Sequence, residues 1–305
     1  LHRRRHSFPT RRSSDLLKVI GFTATAYRLG QGLLTEGDGL FTDICIDMTT
    51  MQIFNWFLAE GYLAPLIPRA THTELKVDRV SIQHGEYNLK ELQDAVDRDE
   101  LTRAALHEAW QLGSDRRKWL IYASGVAHTI NVTAELESMG LQATCVHSEM
   151  ADAVRDARIE KFKRGEYLAI VNNGILTTGV DFPDLDLIVV LRPTQSTGLW
   201  VQMLGRGTRP VYAPGFDLAT RDGRLASQAA GPKQNCLVLD FAGNTARVDT
   251  DRIDLLNASH IHEVGTQVPG VWLSRGSGQE SLTAIRSPVL TGPGSCGSFL
   301  ILEDG

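Results

Sequence analysis

What this 305-residue chain does without narrows its class before any motif is considered. No apolar run approaches the roughly eighteen residues of a membrane-spanning helix, and the amino terminus lacks the apolar stretch of a secretory leader. A cytoplasmic setting with no membrane partner is therefore expected. Cysteine is sparse: Cys45, Cys145, Cys236 and Cys296 are scattered, with no CxxC pair and no metal-ligand spacing. That pattern argues against a disulfide framework and indicates no metal site. Excess positive charge is missing too. The formal net charge is −5, and the first fifteen residues hold five arginines against Asp15 alone; without them 26 basic residues face 35 acidic ones, a balance of −9. Contact with nucleic acid would need a local patch rather than a basic surface overall. Finally, no G-x-x-x-x-G-K-[ST] loop and no Gly-Lys dipeptide occurs, so the backbone cradle that such loops build around phosphates is not found in these residues. The one Asp-Glu pair, Asp99-Glu100, falls in an amphipathic helical stretch and not at the end of an apolar strand, a poor place to hold magnesium.

What is present is a globular composition, 42% apolar and 22% charged, with room for one large or two medium domains. The opening Leu1 to Asp15 is polar and without period. Within it, His6 to Leu16 resembles translated sequencing-adapter read-through, which would put the natural start of the gene further upstream; a basic arm touching nucleic acid is the other reading. Leu17 to Phe22 reads as a buried strand and residues 31–43 as loop. A helix is expected from about Thr50 to Glu60, with Ile53, Phe54, Phe57 and Leu58 on one face and Gly61 as its stop. Trp56 on that helix reads as packing rather than base stacking. Pro65 and Pro68 break the chain, Leu75 to Ile82 alternates as a strand would, and Asn88 with Glu91 makes a capping box for a helix reaching about Trp110.

From Trp119 the pattern turns regular, short apolar runs alternating with amphipathic helices in the manner of a parallel α/β sheet. Strands are expected at Trp119 to Ala123, Ala143 to His147, Tyr167 to Val171, Leu187 to Leu191 and Cys236 to Phe241. Helices fall between them, one ending near Gly140, one from about Ala151 to Arg164, and one that carries Gln202 and delivers Arg206. About Tyr212 to Lys233 is a polar excursion. Beyond about His262 the tail is rich in Gly, Ser and Pro and is expected to be irregular, with Phe299 to Leu302 as one stray strand. Ligands of such sheets bind beyond the carboxyl ends of the strands. Thr177 to Asp181 and Gln202 to Arg209 both follow strands, and both are expected on that edge.

The segment Gln202-Met203-Leu204-Gly205-Arg206-Gly207-Thr208-Arg209-Pro210 is the focus. Two guanidiniums three residues apart can share one anion, and a planar fork that stays charged suits a triphosphate. Gly205 and Gly207 let other groups approach closely. The alternative is that Arg206 and Arg209 close a helix by meeting its last carbonyls.

Four segments, taken in order, resemble a superfamily 2 helicase of the DEAD/DEAH-like branch over roughly residues 17–260. Gly21-Phe22-Thr23-Ala24-Thr25 is similar to motif III, although Ala26 stands where the branch usually has Pro. Leu120-Ile121-Tyr122-Ala123-Ser124 is similar to motif IV, Thr177-Thr178-Gly179-Val180-Asp181-Phe182-Pro183 to motif V, and Gln202, Gly205, Arg206 and Arg209 to motif VI, Q-x-x-G-R-x-x-R. The connector from Phe41 to Trp110 resembles phage- and bacterial-type members. The resemblance implies that Arg206 and Arg209, with Gln202, act on the γ-phosphate side of ATP, and that Gly179, Asp181 and Gly205 lie near the nucleotide. It implies that Ser124, Thr177 and Thr178 face nucleic acid and that Thr23 and Thr25 couple the two. Bland readings stand beside these: Asp181 bracing a turn before Pro183, threonines as strand formers, Ser124 as a helix cap. Family members often add a cysteine-rich zinc segment after the second lobe, and Cys296 is solitary here.

The expectation is an α/β fold with a RecA-like parallel sheet flanked by helices, a helicase second lobe, preceded by the end of a truncated first lobe and a connector. Its parts would be 1–15 a non-native or disordered arm, 16–48 the end of the first lobe, 49–115 a connector with helices, 116–262 the second lobe, and 263–305 the tail. The function expected is that of a fragment of an ATP-dependent helicase or translocase, with Mg2+ held by the missing first lobe. That lobe and nucleic acid, DNA ahead of RNA, are the partners. A binding or scaffolding module without ATPase activity, and the translocase subunit of a restriction system, are the alternatives.

Overall fold

Five strands that the apolar runs predict, and one that they do not, make a single parallel sheet. The computed structural model describes residues 21, 27–28, 32–35, 41–48, 50–75, 82–83, 86–87, 99–174, 176, 180–194, 196–244, 271–275 and 281–285. In chain order the strands are β1 (Tyr27–Arg28), β2 (Gly32–Leu33), β3 (Leu66–Arg69), β4 (Ile82–Gln83), β5 (Glu86–Tyr87), β6 (Trp119–Tyr122), β7 (Ala143–Val146), β8 (Ala169–Asn172), β9 (Leu187–Val190), β10 (Cys236–Asp240), β11 (Val271–Arg275) and β12 (Ser281–Ile285). The helices are α1 (Met51–Ala59), α2 (Asp99–Gly113), α3 (Val126–Ser138), α4 (Asp152–Lys163), α5 (Thr197–Gly205) and α6 (Arg221–Ala230). Six strands lie in the order β3-β10-β9-β6-β8-β7, all parallel. The others pair in antiparallel twos, β1 with β2, β4 with β5 and β11 with β12. Residues 17–20 and 22 of the expected first strand, the Asn88 and Glu91 capping box, and the run at 299–302 lie outside the described residues.

Side chains alternate between the two faces of a strand, so a sheet covered on both sides needs strands that are apolar throughout. Trp119 and Ile121 pack on one side with Leu187, Val189, Leu237 and Leu239, while Leu120 and Tyr122 pack on the other with Ile188, Val190, Cys236 and Val238. Ala105, Leu106 and Ala109 of α2 and Val132 and Leu136 of α3 cover the first side. The second receives Ile159 and Phe162 of α4 and Met203 of α5.

Three departures from the sequence pattern matter. First, the Pro65 to Pro68 stretch is not a break but edge strand β3, with Pro68 in register with Val238 of β10. Proline lacks the donor that a central strand needs, and an outer edge tolerates the loss. Second, the excursion from Tyr212 to Lys233 holds α6, whose N-cap Thr220 accepts from the Gly223 N–H. This helix grips the end of α1. Arg221 Nε donates to Ala59 O at 3.0 Å, Arg224 Nε to Glu60 O at 2.7 Å, and Tyr212 Oη and Gln228 Nε2 each to Gly61 O at 2.5 Å. Gly61 makes the turn possible with a φ of 73°. The buried Arg224 also pairs with Glu60 and lies 4.0 Å from the Tyr62 ring centroid, next to Trp56, which packs against Phe57. Third, β11 and β12 form an antiparallel pair in the tail expected to be irregular.

The turn after α5 sits close on the sheet. A Cβ added at Gly207 would lie 2.7 Å from Cys236 Sγ, 2.9 Å from Leu66 Cδ2 and 3.0 Å from Ile188 Cδ1. Gly207→Ala should therefore destabilise the protein by about 1–3 kcal/mol, the usual cost of overpacking a core, read as a lower midpoint of chemical denaturation. Elsewhere, Glu108 of α2 accepts from the N–H groups of His72 and Thr73 at 2.6 and 2.9 Å. Desolvation alone would raise its carboxyl pKa, but the two backbone bonds outweigh it and hold the group below the ordinary carboxylate range. A depressed native pKa gives stability that is complete above the unfolded value and is lost as pH falls through the native one. Glu108→Gln should accordingly lower the melting temperature at neutral pH and make less difference as the solution is acidified below the carboxylate range.

Candidate functional site

Helix α5 starts at the N-cap Ser196, whose hydroxyl accepts from the Leu199 N–H at 3.2 Å. It runs back along the sheet, and its last turn reaches the first residues of β10 and β3 through Gly207. Arg206 and Arg209 therefore lie at the amino edge of the strands, not at the carboxyl edge expected for segments that follow strands. A short strand of four residues and a nine-residue helix of opposite direction account for the reversal.

Arg206 takes the C-cap position through its backbone, while its guanidinium reaches 26 residues back along the chain, Nη1 donating to Val180 O at 2.5 Å. Arg209 forms an ion pair with Asp181, both side chains about half exposed. Thr208 closes the turn with its hydroxyl on Gly205 O at 2.9 Å, and its own carbonyl accepts from the Ala64 N–H at 2.6 Å, just before β3. The arginine segment and the Val180-Asp181 segment thus meet. Gln202 is half-buried on α5, and Gly205 is exposed, with nothing within 4 Å of an added Cβ. Close approach is therefore a requirement at Gly207 and not, within this chain, at Gly205.

The remaining candidate residues are placed differently. Ser124 is fully buried; its hydroxyl donates to Leu191 O at 3.2 Å and its N–H to His128 Nδ1 at 3.2 Å. It offers no hydroxyl to solvent, and it is not the cap of α3, which is Gly125. Thr177, Thr178, Gly179, Thr23 and Thr25 lie outside the described residues. Among the described residues no group of three or more His, Cys, Asp or Glu could hold a metal ion, and no helix is long and apolar enough to cross a membrane.

One residue of this region carries no signal in the sequence. Lys233, read there as part of a polar excursion, is 2% exposed, and its ammonium donates to Pro183 O at 2.9 Å and to Arg209 O at 2.7 Å. Burial pushes its pKa down to about 8. Burial likewise pushes the neighbouring Cys236 thiol up to about 12, so this sulfur stays a packed thiol at neutral pH. Tyr122, also raised by burial, donates its hydroxyl to Met203 O within α5.

Residues 101–210 match the family described as the helicase conserved C-terminal domain. The chain is 28% identical over 238 residues to irc3 of Schizosaccharomyces pombe, named as a mitochondrial ATP-dependent helicase, a match covering 76% of this chain and 34% of that protein. It is 25% identical over 194 residues to a 51.5 kDa protein of a Lactococcus phage, covering 62% of this chain and 40% of that one. The chain thus spans between a third and two fifths of the length of these relatives. Among solved structures, a Vibrio vulnificus fragment described as an HsdR subunit of a type I restriction enzyme superposes with a TM-score of 0.45 at 16% identity, covering 68% of this chain and 40% of that one. With its two arginines on the turn after α5 and the parallel sheet beneath them, the chain matches the helicase conserved C-terminal domain over residues 101–210 and resembles the carboxyl-terminal lobe of superfamily 2 helicases.

Proposed function

We propose that the chain serves an ATP-dependent nucleic-acid helicase or translocase by presenting Arg206 and Arg209 to ATP held in a first lobe. The observation that carries this reading is the convergence of both arginines on Val180 and Asp181, 26 and 28 residues earlier in the sequence. Two guanidiniums on one turn, one of them partly exposed beside the open surface at Gly205, fit a ligand of several negative charges. Magnesium falls in this reading to the first lobe, together with the phosphate-cradling loop.

Bound ATP supplies the phosphoryl group, and little covalent chemistry is left for the protein. What the chain's residues do is electrostatic. Arg206 is held in place by the Val180 carbonyl, so its charge is aimed before reaction. Arg209 exchanges one anion for another, leaving the Asp181 carboxylate for phosphate oxygens; Asp181 is then released to accept elsewhere near the nucleotide. Gln202, on the same helix one turn earlier, borders this exchange. The motif V-like segment is held at both ends. At one end the Leu176 N–H donates to Asn172 Oδ1 at the carboxyl end of β8, and at the other Pro183 O is bound by Lys233 at the amino edge. Thr177 and Thr178, which fall between these two ends in the sequence, are assigned to nucleic-acid phosphates, contacts that position a strand without reading its sequence.

The 305-residue chain by itself should show no ATP hydrolysis, and a first lobe bearing a phosphate-cradling loop, supplied in trans, should bring nucleic-acid-stimulated turnover. Arg206→Ala or Arg209→Ala should then lower turnover by about 10³–10⁵-fold. Wild-type turnover in both variants would overturn the assignment, and no turnover under any pairing would favour a binding or scaffolding module. Asp181→Asn should change stability by less than about 1 kcal/mol, since the pair it breaks is exposed, yet should change the apparent affinity for ATP measurably.

A further inference from the structure

Two segments that must stay in register are tied together in part by a side chain whose own task, on the function proposed above, is to change partners. Arg209 holds Asp181 and Arg206 holds Val180 O. When phosphate draws the Arg209 guanidinium away from Asp181, that tie is lost at the moment when register matters. A third tie does not involve either functional side chain. Lys233 Nζ donates to Pro183 O at the end of the motif V-like segment and to Arg209 O within the motif VI-like turn. Both acceptors are backbone carbonyls, so the bonds are indifferent to where the arginine and aspartate side chains point.

We propose that Lys233 is a positioning residue that clamps the backbone of Pro183 to the backbone of Arg209, holding the arginine turn in register while the Arg209 guanidinium exchanges Asp181 for phosphate. The inference rests on the arginines acting on a phosphate, as argued above. Several observations fit a clamp rather than an incidental buried lysine. Its side chain enters from a third element, the residues just before β10, so it belongs to neither segment that it joins. That third element is itself fixed, with Arg117 bound to Pro232 O and Arg116 Nη1 donating to Asn235 Oδ1 at 2.7 Å. Only 2% of the residue is exposed, so water does not compete for the two bonds. Burying an ammonium is costly unless it is hydrogen-bonded, and here two carbonyls receive it. Asp184 and Asp186 on the loop before β9 add favourable charge, Arg209 opposes it, and the Cys236 thiol faces it from β10. Asp184 is itself taken by Lys118 at 2.6 Å and Asp186 by the N–H groups of Arg117 and Lys118, which leaves the carbonyls as the partners of Lys233.

The clamp is tested on the 305-residue chain by nitrogen-15 NMR of the arginine Nε–Hε groups, and separately by turnover with the first lobe supplied. Lys233→Met should broaden or shift the Arg206 and Arg209 side-chain signals and speed amide exchange at residues 180–186 and 206–210, leaving β6 and β9 protected. Lys233→Arg, which keeps charge and donors, should restore most of both. With the first lobe present, Lys233→Met should lower kcat on the order of 10²-fold, the scale of a 1 Å misplacement, with KM for ATP unchanged. Where the methionine variant does not fold, Lys233→Gln carries the same readouts, with one carbonyl still held. Unaltered arginine signals, or a loss confined to KM, would overturn the clamp even if Arg206→Ala and Arg209→Ala are inactive. Active arginine variants would instead remove the phosphate reading, while the NMR signals would still report whether Lys233 holds the turn.

Discussion

A side chain at residue 207 would run into Cys236, Leu66 and Ile188, and the arrangement of the whole arginine turn follows from the absence of one. Because Gly207 lets the chain lie directly on the first residues of β10 and β3, α5 ends against the sheet rather than above it. Arg206 and Arg209 are then within reach of Val180 and Asp181, and Thr208 can bond to the residue that leads into β3. The constraint is steric, and it is local. Its consequences are electrostatic and reach three other segments of the chain.

The sheet supplies the rigidity that this turn needs. Its central strands are buried on both faces, each successive side chain committed to an opposite layer, so no strand can slip without moving two cores. Charged groups collect instead at the amino edge. Asp186 accepts from the N–H groups of Arg117 and Lys118 where β6 begins, Lys118 donates to Asp184 and to Lys163 O, and Lys233 spans Pro183 and Arg209. Each of these bonds joins residues far apart in sequence. Together they make the amino edge a crosslinked rim on which the arginines are mounted.

A second polar joint connects the part before the sheet to the part after the arginines. Carbonyls at and just beyond the end of α1, where the helix offers no partner of its own, accept from Arg221, Arg224, Gln228 and Tyr212. Helix α1 therefore rides on the same body as the arginine turn. Strand β3, seven residues later, joins the sheet beside β10. Within the stretch expected to be a connector with helices, α1 is thus bonded to α6 and β3 is paired with β10.

The sequence by itself determined the class of fold, because an all-buried strand is apolar at every position and an amphipathic helix is apolar at every third or fourth. WLIY, ATCV, AIVN, LIVV and CLVLD could be placed without coordinates, as could α1 with Thr50 and Gly61 at its ends. The arginine pair was legible too, as a motif whose residues are near one another in the chain. What the sequence pattern missed was decided between elements. Pro68 looks like a breaker until a neighbouring strand makes it an edge, α6 hides in a polar run because it buries arginine and glutamine rather than leucine, and Ser124 looks available until Leu191 O takes its hydroxyl. The edge on which the arginines lie also depended on how far α5 runs back. Lys233 is the clearest case: its two partners are 50 and 24 residues away, and periodicity reports which way a side chain faces, not which distant carbonyl is waiting there.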